Sequence, residues 1–473
     1  MRIIKIIPTF LIIATLISLL AGPAAALEYP DVAARNVVLI ETTSGNTVFT
    51  KAEEERAYPA SLTKIMTVLL AVEAIERGRA GTADIVTASN NITFDLIPDG
   101  STANIVPGEE MPLIDLLYCA MLASANEACN IIAEYVGGTI SEFVAMMNDK
   151  AIALGCTGTR FTNTHGIPDA GHYTTARDMS LIAKEAIRHP LFMEIVGTKE
   201  ITIDATNMHE TRALENSNAL LGDNRLYKGY TYEDARGIKT GHTSDAGYCL
   251  VSTAVRDGYQ YLAVVMGCAG PDEEDQSRRV GSFTNSVTLY NWAFASFSYR
   301  NVLEPTETIA SVAVDMGSDA ERVNVHPERS VSALLPNDLE ISSLQRSFTI
   351  YSERDKVTLK APINRGDVLG EITVSYEGQV LARINLVAAS DISLSKMVYI
   401  RAELSKLMRS KPVIATIITL LLLVFAYVFL VVRYRILRRR HVKTLRQAQR
   451  VRESLRADET DGEADKYTEE FYK

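Results

Sequence analysis

The chain has 473 residues, 47% hydrophobic and 22% charged, with 27 Gly and 15 Pro. That is globular composition, which excludes collagen, a coiled coil and wholesale disorder, and the length allows roughly two to four domains. The net charge is −10, but twelve Lys/Arg against eight Asp/Glu lie from Arg433 onward, leaving −14 on the rest; so acidic a body argues against a nucleic-acid binder.

Arg2 and Lys5 precede an apolar run from Ile6 to Ala21, and Gly22 to Ala26 are small residues. A basic start, a short apolar core and a small-residue end predict a secretory signal over 1–26, cleaved after Ala26. An uncleaved membrane anchor is the competing reading. Val37–Glu41 and Thr47–Thr50 flank Ser44-Gly45-Asn46, which predicts a β-hairpin. From Ser61 to about Ile75 the chain is apolar around most of a helix circumference, as in a helix buried at a domain centre. Pro112–Leu122, Glu127–Tyr135 (stopped by Gly137-Gly138) and Ala176–Ile187 read as further helices. Strands follow around Gly237–Gly241, Tyr248–Val255 and Gln260–Cys268, then a closing helix from Ser277 to Ser298. Strands at both ends with helices between predict an α/β domain over 27–302 on a mostly antiparallel sheet.

After about Leu303 the pattern shortens. Ile309–Val314, Ser347–Tyr351, Val357–Leu359, Glu371–Tyr376 and Gln379–Leu386 are β-type runs separated by turns such as Asn364–Asp367, which predicts a smaller all-β domain over 303–395. Met397, Ile400, Leu404 and Leu407 recur at helical spacing among Lys and Arg, so 396–411 reads as an amphipathic segment at a membrane surface or as a plain helical stalk. Pro412–Val432 is 21 residues without a charge, long enough for a transmembrane helix across about 30 Å of hydrocarbon. Nine Lys/Arg follow it between Arg433 and Arg452, against five upstream from Lys396 to Lys411. That bias places the 433–473 tail in the cytoplasm and the body outside the cell membrane, in agreement with an exported N-terminus. The tail from Ala457 is polar and charged, which predicts disorder. Five Cys, an odd number, make no disulfide scaffold and read mostly as buried thiols.

Three stretches could carry chemistry. In Tyr58-Pro59-Ala60-Ser61-Leu62-Thr63-Lys64, Ser61 and Lys64 are three apart and share a helix face, a nucleophile and base within reach. The plainer reading makes Ser61 an N-cap and Lys64 a first-turn cation, although a cation there opposes the helix dipole. Ser124 and Asn126 fall in one tight turn between helices, where either could simply cap the second. In Gly237–Thr243, Lys239 can project from a strand towards a cleft, and Gly241 leaves room for a ligand; a protective edge-strand lysine is the alternative. Neither His-Glu-x-x-His nor G-x-S-x-G occurs, which disfavours a zinc peptidase and an α/β-hydrolase.

The ordered set Ser61-x-x-Lys64, Ser124-x-Asn126 and Lys239-Thr240-Gly241 resembles the penicillin-recognising serine enzymes. The segments PASLTKIMT, HGIPDAGHYTTARDMSLIA (His165–Ala183) and GIKTGHTSDAGYCLV look like those of the low-molecular-mass penicillin-binding proteins, the D-alanyl-D-alanine carboxypeptidases. KAPINRGDVLGEITV (Lys360–Val374) is similar to that subfamily's β-rich C-terminal domain. The resemblance implies a transpeptidase/β-lactamase-like domain and no cofactor. It implies Ser61 as the acylated nucleophile, Lys64 as its base, with a pKa lowered by burial and by Lys239, and Ser124 as a proton relay. Asn126 would hold the substrate amide, Lys239 and Thr240 the terminal carboxylate, Gly241 would line the cleft, and the backbone N–H groups of Ser61 and His242 would form the oxyanion hole, with the His242 imidazole a wall. The implied partners are peptidoglycan pentapeptide stems and β-lactam inhibitors. A β-lactamase is disfavoured because no acidic Glu-x-x-Leu-Asn segment is found; a D,D-endopeptidase or a non-catalytic wall-binding scaffold stay open. Family members usually end in the amphipathic anchor, so the added span and basic tail depart from the pattern.

Overall fold

The computed structural model describes residues 29–271 and 278–468, and the predicted signal over 1–26 lies outside them. The chain forms two compact units, one running to Val302 and taking in Val331–Gln345, the other made of Leu303–Ser330 and the chain from Arg346.

In the first unit β1 (Asn36–Glu41) and β2 (Thr47–Lys51) form the hairpin. Its turn closes because Gly45 takes a left-handed φ of 76° and the Glu41 carboxylate accepts from the backbone N–H of Thr43 and Ser44. A 3-10 turn, Ala60–Thr63, leads into α1 (Lys64–Glu76), which is buried from Lys64 to Ala74. β3 (Ile85–Thr87) pairs with β4 (Glu110–Pro112), followed by α2 (Leu113–Met121), α3 (Asn126–Gly137), α4 (Ile140–Ala153), α5 (Ala176–Ala186) and α6 (Pro190–Gly197). β5 (Glu200–Ile203) and β6 (Arg212–Glu215) make a second small ribbon. β7 (Ala235–Thr243), β8 (Gly247–Arg256) and β9 (Tyr259–Cys268) then join the hairpin in an antiparallel sheet of order β2-β1-β9-β8-β7, and α7 (Gly281–Ser296) follows.

Both faces of this sheet are covered. Val38, Ile40, Leu262, Val264 and Met266 join the core built on α1 to α6, while the alternate residues Val37, Leu39, Tyr261, Ala263 and Val265 pack with Leu289, Tyr290 and Ala293 of α7. The predicted α/β domain on an antiparallel sheet is this three-layer arrangement. The sequence reading had no α4, although its start is encoded: Thr139 is its N-cap, accepting from the Glu142 N–H and donating to the Glu142 carboxylate. All five Cys are buried and free.

β10 (Phe297–Leu303), β11 (Ala310–Ala313), β12 (Arg322–Pro327), β13 (Val331–Pro336), β14 (Gln345–Ile350), β15 (Val368–Tyr376) and β16 (Gln379–Ala388) complete the strands. The second unit carries a five-stranded sheet of order β11-β12-β16-β15-β14, whereas β13 pairs with β10. Val331–Gln345 is held to the first unit by Asn337 N–H donating to Ser296 O (2.8 Å) and Arg300 donating to Leu339 O (2.5 Å). Val357–Leu359, expected as a strand, is not one: Val357 is exposed, and only Lys360 bridges, to Asp315. An apolar residue without a paired neighbour gains nothing from extension.

α8 (Lys396–Met408) is capped by Ser395 and leaves Met397, Ile400, Leu404 and Leu407 exposed. α9 (Lys411–Thr468) contains a stretch long and apolar enough to cross a membrane. It also runs on past Ala457 to Thr468, where disorder was expected.

Candidate active site

Ser61 sits inside the 3-10 turn rather than capping it, and no side-chain cap is made at either helix start. Its hydroxyl instead lies 3.0 Å from Lys64 Nζ. The amine also donates to Asn126 Oδ1 (2.8 Å) and to the main-chain oxygen of His165 (2.8 Å). An ammonium here uses all three protons. A neutral amine keeps the two bonds to Asn126 and His165 and turns its lone pair on the Ser61 O–H, which is the geometry of a general base. Asn126 is fixed at the head of α3, its backbone N–H donating to Ser101 O (3.0 Å).

β7 is the edge strand of its sheet, yet Lys239 is not a solvated edge residue: it is 1% exposed. Its Nζ lies 3.5 Å from Ser217 Oγ, which is 2.6 Å from Thr240 Oγ1. Gly241 lets β7 lie against the serine turn; a Cβ there would come within 3.2 Å of Pro59 O and Ser61 N. His242 is exposed and stacks on Tyr248, ring centroids 4.0 Å apart. Ser124 is buried in the turn before α3 with a left-handed φ of 60°, a strained setting for a residue with a side chain. Among the described residues its hydroxyl makes no hydrogen bond to Ser61, Lys64 or Lys239. The structure therefore brings Ser61, Lys64 and Asn126 together directly and sets Lys239, Thr240 and Gly241 beside them.

Burial lowers Lys64 from 10.5 to about 8 against the opposing charge of Glu127. Burial, and then the charge of Lys64, lower Lys239 to about 7. Two ammonium groups so placed repel each other, so charge on either amine disfavours charge on the other.

Ser217 had no role in the sequence reading, nor had a chain of residues beneath the nucleophile. Thr162 N–H donates to His172 Nδ1 (3.1 Å), so the ring proton is on Nε2, which faces Thr63 Oγ1 at 2.8 Å. Thr63 in turn donates to Ala60 O (2.9 Å). Ala60 precedes the nucleophile with a left-handed φ of 47°, and Gly166 packs directly on its carbonyl. Burial pushes His172 down to about 4, so it is a neutral linker at neutral pH. The only sequence signal was the segment His165–Ala183, quoted for likeness alone.

His172→Phe keeps an aromatic ring but removes the N–H that donates to the Thr63 hydroxyl, and is expected to slow acylation of Ser61 about tenfold, the equivalent of one lost buried hydrogen bond. His172→Gln, which still offers an N–H, should recover part of the rate. Equal rates for the two variants, measured with a chromogenic β-lactam, would remove this role.

Comparison with known proteins gives a consistent picture. A family model described as D-alanyl-D-alanine carboxypeptidase matches residues 24–270, and one described as penicillin-binding protein 5, C-terminal domain, matches residues 297–393. The D-alanyl-D-alanine carboxypeptidase DacF of Bacillus subtilis is 31% identical over 362 residues, 76% of this chain and 86% of its own. DacA of Escherichia coli is 31% identical over 367 residues, 77% of this chain and 84% of its own. Penicillin binding protein 5 from Haemophilus influenzae superposes with a TM-score of 0.58 at 28% identity, covering 78% of this chain and all of that one.

Proposed function

Because the chain belongs to the D-alanyl-D-alanine carboxypeptidase family, we propose that it removes the terminal D-alanine from peptidoglycan pentapeptide stems through an acyl-enzyme on Ser61. The observation that carries the residue assignment is the buried Lys64 amine 3.0 Å from the Ser61 hydroxyl. Lys64 takes the hydroxyl proton as Ser61 attacks the penultimate carbonyl, and the backbone N–H groups of Ser61 and His242 receive the developing oxyanion. Lys239 and Thr240 bind the substrate's terminal carboxylate, and Gly241 keeps the cleft open to it. Asn126 orients both Lys64 and the substrate amide. Ser124 passes the proton to the leaving amine, and water then hydrolyses the ester. A β-lactam follows the same first step and stays as an ester on Ser61.

The apolar part of α9 suits a membrane anchor, and the Lys/Arg excess beyond it orients the tail to the cytoplasm with the chain before α8 outside. Intact cells treated with fluorescent penicillin should yield one labelled peptide, the one containing Ser61, while added trypsin leaves Arg433–Arg452 uncut. An adduct on another residue overturns the assignment of Ser61. Cleavage of the tail without lysis overturns the orientation.

A further inference from the structure

Besides Ser61, the Lys64 amine rests on two acceptors, Asn126 Oδ1 and the main-chain oxygen of His165, each at 2.8 Å. They come from distant parts of the chain, and the amine is only as well placed as they are. One buried side chain links them. Asn130 is 1% exposed and lies one turn after Asn126 in α3, on the same side of the helix. Its Oδ1 accepts from Thr164 Oγ1 (2.6 Å), and its Nδ2 donates to Ile92 O (3.1 Å) and Phe94 O (3.0 Å). Both amide protons and the side-chain oxygen are in use.

Thr164, fully buried, is held from two sides. Its hydroxyl is on Asn130 of α3, and its main-chain oxygen accepts from the hydroxyl of Thr67 (2.6 Å), three residues after Lys64 in α1. The next peptide, between His165 and Gly166, is held at both ends. Its N–H donates to Asn163 Oδ1 (2.7 Å), and its oxygen receives the Lys64 amine. Asn163 Nδ2 donates to Ile167 O (2.9 Å), which closes the turn. Residues 163–167 thus form a shelf under the amine, fastened to α1 by Thr67 and to α3 by Asn130.

The far side of the Asn130 amide holds the start of a loop whose end lies on Asn126. Ser101 O accepts from the Asn126 N–H (3.0 Å), and a Cβ at Gly100 would come within 2.8 Å of Asn126 Nδ2. Asn130 therefore backs the support of both acceptors at once.

We propose that Asn130 is a positioning residue for the acylation of Ser61. Among the described residues it makes no hydrogen bond to Ser61 or Lys64. It acts through Thr164 and the 92–101 loop, keeping the His165 oxygen and the Asn126 amide where they turn the Lys64 lone pair onto the Ser61 hydroxyl. Proton transfer to a positioned base is steep in distance, and a displacement of about 1 Å costs on the order of 10²-fold in rate. A leucine fills nearly the same volume at position 130 but makes none of the three bonds, so packing alone does not require asparagine there.

The proposal rests on the carboxypeptidase reading, and one experiment separates the two. Stopped-flow reaction of the full chain in detergent with benzylpenicillin gives the dissociation constant of the first, non-covalent complex and the rate constant of ester formation. Thr164→Val removes the hydroxyl that reaches Asn130, and is expected to lower the rate constant about tenfold while the dissociation constant stays within about twofold. Thr164→Ser keeps the hydroxyl and should bring the rate constant back to within about threefold of the parent chain. Asn130→Leu should slow ester formation at least as much as Thr164→Val, and combining the two should slow it no further, because both remove one link. Should Asn130→Leu not fold, the two Thr164 variants decide the matter. A folded Thr164→Val chain that acylates at the parental rate overturns the proposal. So does a Thr164→Ser chain as slow as Thr164→Val, or a loss shared equally by binding and ester formation. A parent chain that benzylpenicillin does not acylate on Ser61 removes the carboxypeptidase reading and this one with it.

Discussion

Lys64→Ala is expected to slow acylation of Ser61 by benzylpenicillin by about 10²–10⁴-fold, the range for loss of a positioned general base. Among the described residues, Lys64 is the one amine within hydrogen-bond distance of the hydroxyl. Stopped-flow acylation that stays within tenfold of the parent chain would show another base at work. The same lysine sets the pH profile. Its free value of 10.5 is lowered to about 8, so the neutral base gains population as pH rises. Lys239 must carry its charge to hold a carboxylate, and its value of about 7 means that charge is lost as pH rises. The productive form, Lys64 neutral and Lys239 charged, is bounded on both sides, and kcat/KM for D-alanine release should be a bell with its maximum between about 7 and 8. A profile that fails to fall on either the acid or the alkaline side of that interval would contradict the assignment of the two amines.

Gly166→Ala is expected to cost the second large effect, in stability and acylation together. A Cβ at this position would lie 1.8 Å from Ala60 O, and the φ of 94° is left-handed. Overpacking and backbone strain together predict a loss of about 3 kcal/mol, roughly a 6–12 °C fall in Tm for a unit of this size. Neither partner has slack: Ala60 is itself in the left-handed region, and its carbonyl is held by Thr63. The strain must therefore reach the Ser61 turn, and penicillin labelling should be nearly lost. Gly229→Ala is the control, since its φ of 75° meets nothing within 4 Å and carries backbone strain only. A Gly166→Ala chain that labels normally would mean the turn relaxes without moving its serine.

The hairpin at Gly45, the buried circumference of α1, the glycine stop after α3 and the charge-free stretch after Lys411 were determined by the sequence alone, because each rests on residues within a few positions of one another. The order of Ser61, Lys64, Ser124, Asn126 and Lys239 was equally visible. What each would do was not. Lys239 read as well as a solvated edge lysine until the fold buried it, and Ser61 read as well as a cap until its hydroxyl was found on Lys64. Only the tertiary structure decided that Lys64 meets Asn126 and His165, that His172 reaches the serine turn through Thr63, that Val331–Gln345 returns to the first unit, and that Asn130 of α3 meets Thr164. The reason is that desolvation, which makes an ammonium into a base near neutral pH, is a property of everything packed around the amine. No window of sequence contains residues 64, 126, 165 and 239 together.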